Sequence, residues 1–244
     1  MSKTILITGA ASGIGLASAK MLLEKGHRIV AFDPQEDLMR AELPNCEEVE
    51  FFCGDVSKTA DCQSSVIKTV EKFGNLDALM HWGAAHSTKR WDELDAEECN
   101  FIMAVNVTGS FLISQAAAHN MMSHNGGSIV LTTSASMLYG VTGGNGQGGP
   151  AYATSKAAII GLNRSLARSL APKVRCNAVS PGIAETAMIA DYSTDQRAAM
   201  SKRFPMGRFG EPEEIANAGI FLISEKASFI TGEVIHVNGG SNFN

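Results

Sequence analysis

Tyr152 and Lys156 lie four positions apart in the segment Tyr152-Ala153-Thr154-Ser155-Lys156, so a phenol and an ammonium group share one face of a helix. A tyrosine exchanges protons poorly at neutral pH because its ordinary pKa is about 10. A neighbouring cation stabilises the tyrosinate and lowers that pKa, which brings proton exchange with an alcohol within reach. The pair predicts acid–base chemistry at a hydroxyl group, although the spacing alone is also typical of a helix surface.

Two further polar side chains are candidates to assist this pair. Ser134 follows the apolar run Ser128–Thr133, and its hydroxyl could hold a substrate oxygen if that run is a strand whose carboxyl end faces a ligand. Ser136 competes for the same role if the following loop shifts the register. Asn106 and Gly109 interrupt a helical pattern in which both residue types are unfavourable. That misfit predicts a bulge or a functional side chain, the alternative being an exposed helical asparagine.

A glycine-rich turn runs from Thr8 to Gly15, between an apolar strand and a helix. Gly9 can turn the chain sharply, Gly13 lets the backbone approach a pyrophosphate, and Gly15 permits close packing of the helix on the strand. The amino terminus of the helix then favours the phosphate charge. The context predicts a dinucleotide site rather than a plain turn.

The second predicted strand ends at Asp33, eighteen residues after Gly15. A carboxylate there can accept hydrogen bonds from the adenosine ribose hydroxyls and repels a 2′-phosphate. Ser12 is neutral where an arginine or lysine would bind that phosphate, and Arg28 lies at the other end of its strand. We therefore predict NAD rather than NADP, although Asp33 could instead cap the next turn.

The elements that must position these residues alternate between β-branched runs and helical stretches. The predicted strands are Lys3–Thr8, Arg28–Phe32, Val49–Cys53, Ala78–His81, Ser128–Thr133, Val174–Val179 and Glu233–Val237. The predicted helices are Gly13–Lys25, a short segment before the third strand, Thr59–Phe73, two helices within Asp92–Met122, Ala151–Leu170 and Glu213–Ile223. This order predicts an α/β protein with a Rossmann-type doubly wound, mostly parallel seven-stranded sheet, helices on both faces, and one domain spanning 1–244.

The composition and charge of the chain exclude several classes of binding partner. The 244 residues are 45% hydrophobic and carry a net charge of −5 without a basic run, so we expect no nucleic-acid partner. No apolar run is long enough to span a membrane and no N-terminal signal is seen, which predicts a cytoplasmic protein without a membrane partner. Five cysteines without a CxxC pair predict free thiols, and no His/Cys motif predicts a metal.

As a set, these residues resemble the classical branch of the short-chain dehydrogenase/reductase (SDR) family, and the resemblance covers the whole chain. The matching motifs are Thr8-Gly9-Ala10-Ala11-Ser12-Gly13-Ile14-Gly15, Asp55-Val56, Asn106-Val107-Thr108-Gly109, Ser134, Tyr152-Ala153-Thr154-Ser155-Lys156, Ser180-Pro181-Gly182 and Ile230-Thr231-Gly232. The family implies an oxidoreductase that interconverts a secondary alcohol and its ketone with NAD, oxidation being the favoured direction, and a homotetramer in which the Tyr152-bearing helix and the C-terminal region pack between subunits.

The resemblance also implies a role for each site residue. Tyr152 is the acid/base, Lys156 holds the nicotinamide ribose and tunes Tyr152, Ser134 positions the substrate, and Asn106 anchors a water that links Lys156 to a proton relay. Asp55 and Val56 flank the adenine, and Ile183 and Thr186 contact the carboxamide. The whole predicted cofactor set is Gly9, Ser12, Gly13, Ile14, Gly15, Asp33, Asp55, Val56, Trp82, Gly83, Ala84, Tyr152, Lys156, Gly182, Ile183 and Thr186.

Two departures from the family pattern concern the pocket. His81-Trp82-Gly83-Ala84 stands where the family usually has Asn-Asn-Ala-Gly, so Trp82 must find a place and could reshape the adenosine side. Ser134 and Tyr152 are 18 residues apart, more than is usual. The surplus falls in the loop 137–150, whose composition is that of a flexible loop and which we expect to rim the pocket. Its glycines are Gly140, Gly143, Gly144, Gly146, Gly148 and Gly149.

The substrate is predicted only in outline. The segment 184–209 resembles a mobile substrate lid with an apolar lining, and His86, Ser136, Met137 and Met188 are candidate substrate contacts. Lys202 and Arg203 could bind an anion, but exposed helix charges explain them as well. Two alternatives stay open: a 3-oxoacyl carrier-protein-type reductase using NAD(P)H, disfavoured because His124-Asn125-Gly126 stands where those reductases have arginines, and a non-catalytic dinucleotide sensor.

Overall fold

A computed structural model describes residues 2–144, 147–190 and 192–243. Seven parallel strands form one sheet in the order β3-β2-β1-β4-β5-β6-β7, which confirms the predicted doubly wound architecture. The strands are β1 (Thr4–Thr8), β2 (Arg28–Asp33), β3 (Val49–Cys53), β4 (Ala78–His81), β5 (Gly127–Thr132), β6 (Val174–Pro181) and β7 (Val234–Val237).

Nine α-helices lie in the described residues. They are α1 (Gly13–Glu24), α2 (Glu36–Glu42), α3 (Thr59–Phe73), α4 (Ala96–Met103), α5 (Ser110–Ser123), α6 (Ser136–Tyr139), α7 (Pro150–Leu170), α8 (Thr194–Ser201) and α9 (Pro212–Ile223). A π-helical segment (Ala104–Gly109) joins α4 to α5, and Ala187–Ile189 and Glu225–Ala227 are short 3-10 turns.

The sheet separates two apolar layers because side chains alternate along each strand. Ile5 and Ile7 of β1 pack in one layer with residues of α1 and α9, whereas Leu6 packs in the other with residues of α3, α5 and α7. All three side chains are fully buried. A sheet covered on both faces leaves its carboxyl edge as the place where a ligand can enter.

The helical region between β4 and β5 contains the predicted bulge. The chain forms two helices there, but Ala104–Gly109 has π-helical hydrogen bonding, and Asn106 lies within it. Asn106 is only 1% exposed, so the alternative of an exposed helical asparagine is wrong. A π turn inserts one extra residue, which rotates the following side chains relative to a regular helix.

The described part of the loop 137–150 is docked, so the prediction of a flexible loop is wrong there. Gly149 N–H donates to Ser87 O over 2.8 Å and Gly144 N–H donates to Thr88 O over 2.6 Å. A Cβ atom at Gly143 would lie 2.5 Å from Lys89 O, so the close backbone approach requires glycine. Asn145 and Gly146 lie outside the described residues.

The five cysteines are free thiols, as predicted. The expectation that no apolar run is long enough to span a membrane is not met, because the continuous helical stretch Ala96–Ser123 passes by length and composition. Buried residues of α5, including Ile113, Ala117 and Met121, pack in the core on the sheet. The stretch is therefore weak evidence for a membrane span.

Candidate active site

A cavity of about 920 Å³ opens at the carboxyl edge of the sheet. Nearly all of the predicted site residues line it: Gly9, Ser12, Gly13, Ile14, Gly15, Asp33, Asp55, Val56, Trp82, Gly83, Ala84, His86, Ser134, Ser136, Tyr152, Lys156, Gly182, Ile183, Thr186 and Met188. Asn106 and Met137 are not among its lining residues. The Met137 sulfur instead lies 2.9 Å from the hydroxyl oxygen of Thr133, whose proton is donated to Lys156 O.

Tyr152 and Lys156 lie in the first two turns of α7, which begins at Pro150, a residue suited to the first position of a helix. Lys156 Nζ lies 5.8 Å from the centre of the Tyr152 ring and donates a hydrogen bond to Thr132 O over 3.0 Å. The two side chains therefore face one point beside the end of β5. The predicted helical pairing is present.

The electrostatics of this pair differ from the prediction. Loss of solvent raises the pKa of Tyr152 to about 12, and the neighbouring Ser134 hydroxyl opposes that rise. Loss of solvent also lowers the pKa of Lys156 to about 8. The expectation that the pKa of Tyr152 falls below its ordinary value is wrong in this geometry, because loss of solvent is the largest influence on the phenol.

Asn106 connects the loop after β4 to α7. Its amide nitrogen donates to Ala85 O and to the Ser155 hydroxyl, each over 2.9 Å, and its amide oxygen accepts from Ala85 N over 2.7 Å. The amide is thus hydrogen-bonded on both sides and fixes the residue that precedes Lys156 on α7. The role that the family implies for it, anchoring a water, stays a prediction.

His81 forms a buried hydrogen-bonded chain that sequence reasoning missed. The Ser110 hydroxyl donates to Asn106 O over 2.6 Å, so His81 Nε2 donates to Ser110 Oγ over 2.8 Å, and the Thr8 hydroxyl donates to His81 Nδ1 over 2.6 Å. Burial lowers the pKa of His81 to about 3, which keeps the ring neutral. The chain connects the end of β1 with the π-helical segment, and the only signal in the sequence is a histidine at the end of an apolar strand.

Trp82 is accommodated by a glycine on α9. A Cβ atom at Gly219 would lie 2.7 Å from Trp82 Cζ2, so the indole fits only because that position lacks a side chain. Trp82 is 8% exposed and packs in the core layer of α1 and α9 while it also lines the cavity.

The adenosine end of the cavity fits a dinucleotide. At Gly9, where φ is +68°, a Cβ atom would lie 2.8 Å from Gly83 N, and at Gly15 it would collide with Gly9 O. Asp33 is buried and accepts hydrogen bonds from Ala11 N over 3.3 Å and Gln35 N over 3.0 Å. These contacts form a narrow backbone cradle with a fixed carboxylate at its far side, the features that a pyrophosphate and a ribose diol require.

The substrate end is built from side chains around Tyr152. The His86 ring meets the Tyr152 ring edge-on, with centroids 4.9 Å apart. The Ser136 hydroxyl donates to Ser134 Oγ over 3.0 Å, so both candidate serines are present and hydrogen-bonded to each other. The other walls are largely apolar and include Phe101, Val105, Val141, Met188, Ile189, Tyr192, Met200 and Phe204.

Known proteins of one family match this chain over nearly its whole length. A family model described as enoyl-(acyl carrier protein) reductase matches residues 9–242. The 3-oxoacyl-(acyl-carrier-protein) reductase FabG of Aquifex aeolicus is 39% identical, over 98% of this chain and 96% of its own. The 3alpha-hydroxysteroid dehydrogenase of Mediterraneibacter gnavus is 34% identical, over 98% of this chain and 97% of its own.

Solved structures show the same relationship. A short-chain dehydrogenase/reductase of Brucella melitensis, described as a glucose/ribitol dehydrogenase, superposes with a TM-score of 0.92 at 31% identity, over 99% of this chain and 97% of its own. A 3-ketoacyl-(acyl-carrier-protein) reductase of Brucella melitensis complexed with NADH superposes with a TM-score of 0.89 at 28% identity, over 99% and 98%. With the cradle, the Tyr152–Lys156 pair and the adjacent Ser134 in one cavity, the chain belongs to the short-chain dehydrogenase/reductase family and is an oxidoreductase with a nicotinamide dinucleotide site.

Proposed function

We propose that this protein is an NAD-dependent dehydrogenase that interconverts a secondary alcohol and its ketone. The observation that carries the proposal is the placement of Ser134, Tyr152 and Lys156 at one end of a cavity whose other end holds the backbone cradle and Asp33. The bound nicotinamide supplies the hydride acceptor or donor. The side chains around Tyr152 would transfer the proton and hold the substrate oxygen.

The residues of the chain can move the remaining proton. In the oxidation direction the alcohol O–H proton passes to a Tyr152 tyrosinate, and in the reduction direction a neutral Tyr152 returns it to the carbonyl oxygen. Ser134 is placed to hold that oxygen while charge develops on it. Lys156 Nζ lies 5.8 Å from the centre of the phenol ring, where an ammonium group stabilises a tyrosinate, and it can hold the nicotinamide ribose.

The preference for NAD rests on the charges around Asp33. Within the part of the chain that the structure describes, Lys156 and Arg203 are the cationic residues that line the cavity. Lys156 lies beside Tyr152, and Arg203 interacts with Tyr139 at the substrate end. A 2′-phosphate beside Asp33 would meet a carboxylate and no described cation, which favours NAD over NADP.

A second candidate is reduction of an acyl-carrier-protein-bound 3-oxoacyl group, which several relatives named FabG favour. The same Tyr152 chemistry would serve it. The two candidates differ in what reaches the cavity, since the carrier-bound substrate is tethered to a protein. A free ketone and its carrier-bound form, compared at equal concentrations, separate them.

We also propose that the chain assembles as a homotetramer in the cytoplasm, as the family resemblance implies. Large apolar side chains are exposed on α4 and α5 and in the C-terminal region, namely Phe101, Phe111, Phe229 and Phe243. Exposed apolar area of this kind supports an interface. Light scattering after size-exclusion chromatography tests the subunit number.

The decisive assay follows the absorbance of the reduced nicotinamide, with NAD and NADP separately, over sugars, cyclic alcohols, hydroxy acids and hydroxysteroids. We expect NAD-dependent turnover of at least one class, and its loss by about 10²–10⁴-fold in Tyr152→Phe. Turnover with NADP alone would overturn the cofactor assignment. Tight NAD binding without turnover of any alcohol or ketone in the panel would contradict the proposed reaction.

A further inference from the structure

The lid segment 184–209 carries three arginines, and one of them differs from the other two. Arg197 pairs with Glu185 over 2.6 Å, and Arg208 pairs with Glu214 over 2.7 Å. Arg203 makes no ion pair with any carboxylate among residues 2–144, 147–190 and 192–243. Arg197 joins two parts of the lid and Arg208 joins the end of the lid to α9, whereas Arg203 takes part in neither pair.

Arg203 is exposed to solvent on the lid, and it also lines the cavity that holds the reaction centre. It is one of the lining residues, and it lies close enough to Tyr139 that its positive charge opposes the rise in the Tyr139 pKa caused by desolvation. Tyr139 in turn interacts electrostatically with Tyr152. The guanidinium thus belongs to the substrate end of the cavity, on the lid side of Tyr139.

Among the described residues that line the cavity, none near Arg203 carries a negative charge to match it. The acidic residues among the described lining residues are Asp33 and Asp55, both at the adenosine end. Around Arg203 the wall is apolar, with Met200 and Phe204 next to it on the lid. A guanidinium presents parallel N–H donors that match a carboxylate, and such charge-assisted pairs are stronger than neutral hydrogen bonds.

We propose that the substrate is a hydroxy acid or oxo acid whose carboxylate pairs with Arg203, while its carbinol or carbonyl carbon lies at Tyr152. This substrate class rests on the proposed dehydrogenase function. The apolar wall between the two groups takes the carbon skeleton, and the carboxylate connects the substrate to the lid.

The test uses an unreactive probe pair, so that it does not depend on turnover. Octanoate and octanamide are titrated into the enzyme–NADH complex, and binding is followed by nicotinamide fluorescence and calorimetry. NADH is chosen because its nicotinamide ring is uncharged, whereas the ring of NAD⁺ would itself attract an anion. The variants are Arg203→Met, which removes the charge, Arg203→Lys, which keeps the charge without the planar fork, and Lys202→Met as the matched control.

We expect the wild-type complex to bind octanoate about tenfold or more tightly than octanamide, because a charge-assisted pair is stronger than a neutral hydrogen bond. Arg203→Met should abolish that preference, Arg203→Lys should keep part of it, and Lys202→Met should keep all of it. A wild-type enzyme without a preference for octanoate, whether it binds both probes or neither, overturns the inference. So does a preference that survives Arg203→Met, since Lys156 would then be the cation that holds the anion.

The two proposals fail separately. A preference for octanoate that depends on Arg203, together with no turnover in the alcohol panel, would support the anion site and contradict the dehydrogenase reaction. Turnover of neutral alcohols at rates equal to those of matched hydroxy acids, unchanged in Arg203→Met, would support the reaction and contradict the anion site.

Discussion

At the adenosine end of the cavity, separate segments of the chain are in contact through their backbone atoms. At the substrate end, the walls are formed by side chains on short helices and loops. Gly9 lies against the backbone of Gly83, and Asp33 is held by two backbone N–H groups. At the other end Met188 stands on a 3-10 turn and Met200 on α8. A backbone contact tolerates almost no change of residue type, while side-chain walls can be exchanged one at a time. We therefore expect substitutions at the adenosine end to abolish dinucleotide binding. Substitutions at the substrate end should instead change the rates of turnover.

The largest effect should come from Gly15→Ala. The new Cβ atom would collide with Gly9 O, so either the turn or α1 must move, and the cradle for the pyrophosphate is lost. We expect NAD affinity to fall by at least about 100-fold, measured by calorimetry, with a lower melting temperature.

Gly161→Ala is the matched control for that change. Gly161 lies in α7 with open space around the position of a Cβ atom, so alanine there should leave NAD affinity unchanged and favour the helix by up to about 1 kcal/mol. An equal loss of NAD affinity in both variants would show that the backbone approach at Gly15 is not what holds the cofactor.

The next effect in size concerns pH at the substrate end. Oxidation of the alcohol releases one proton, so the ratio of kcat/KM for oxidation to kcat/KM for reduction must rise tenfold per pH unit. The pKa of Tyr152 decides whether the rate of oxidation or the rate of reduction depends on pH. Because the pKa of Tyr152 is about 12, the phenol is protonated throughout pH 6–8. Reduction then needs no titration, whereas oxidation requires a tyrosinate whose population rises about tenfold per pH unit.

We expect kcat/KM for oxidation to rise steeply between pH 6 and 8, while kcat/KM for reduction of the matching ketone stays flat. Above pH 8, Lys156 loses its charge as its pKa of about 8 is passed, so the rise in the oxidation rate should weaken. The opposite pattern, with flat oxidation and reduction that falls from pH 6, would mean that Tyr152 ionises well below its ordinary pKa.

A smaller and selective effect is expected for Asp33→Ser, which removes the carboxylate but keeps a hydrogen-bonding group at the end of β2. NADP affinity should rise and NAD affinity should fall, changing their ratio by about tenfold or more, because charged hydrogen bonds contribute about 1.5–3 kcal/mol. Calorimetric titration of both dinucleotides measures it. An unchanged ratio of the two affinities would mean that the Asp33 carboxylate only stabilises the local turn, by accepting hydrogen bonds from Ala11 N and Gln35 N.

The same contrast between the two ends decides what the sequence could predict. Long periodic segments and the glycine turn have strong local signals, so Thr59–Phe73 is predicted to the residue and Asp33 is placed at the end of β2. α6 and α8 are not predicted, α6 because four residues are too few to show a helical period and α8 because its eight residues include no buried apolar side chain to mark one. Arg203 is exposed, as one of its two sequence interpretations expects, and it also lines the cavity, which residue spacing could not indicate.

Docking and hydrogen bonding across the fold were equally invisible in the sequence. The loop 137–150 has the composition of a flexible loop, but Gly143 and Gly149 are required by the backbone of Lys89, which is far away along the chain. The chain from Thr8 through His81 to Ser110 likewise joins three separate elements. Such features depend on tertiary contacts that local residue preferences do not encode.

The smallest effect should come from Ser136→Ala at the substrate end. Ser136 Oγ donates to Ser134 Oγ, which leaves the Ser134 proton available for the substrate oxygen or for Tyr152, and hydrogen bonds in such a chain strengthen one another only modestly. We expect kcat to fall by about threefold to tenfold with NAD affinity unchanged, given a net contribution of about 0.5–1.5 kcal/mol for a neutral hydrogen bond. Ser134→Ala is the matched comparison and should cost far more, because it removes the hydroxyl next to Tyr152. If Ser136→Ala instead costs as much as Ser134→Ala, Ser136 itself holds the substrate oxygen, and the two serines exchange roles.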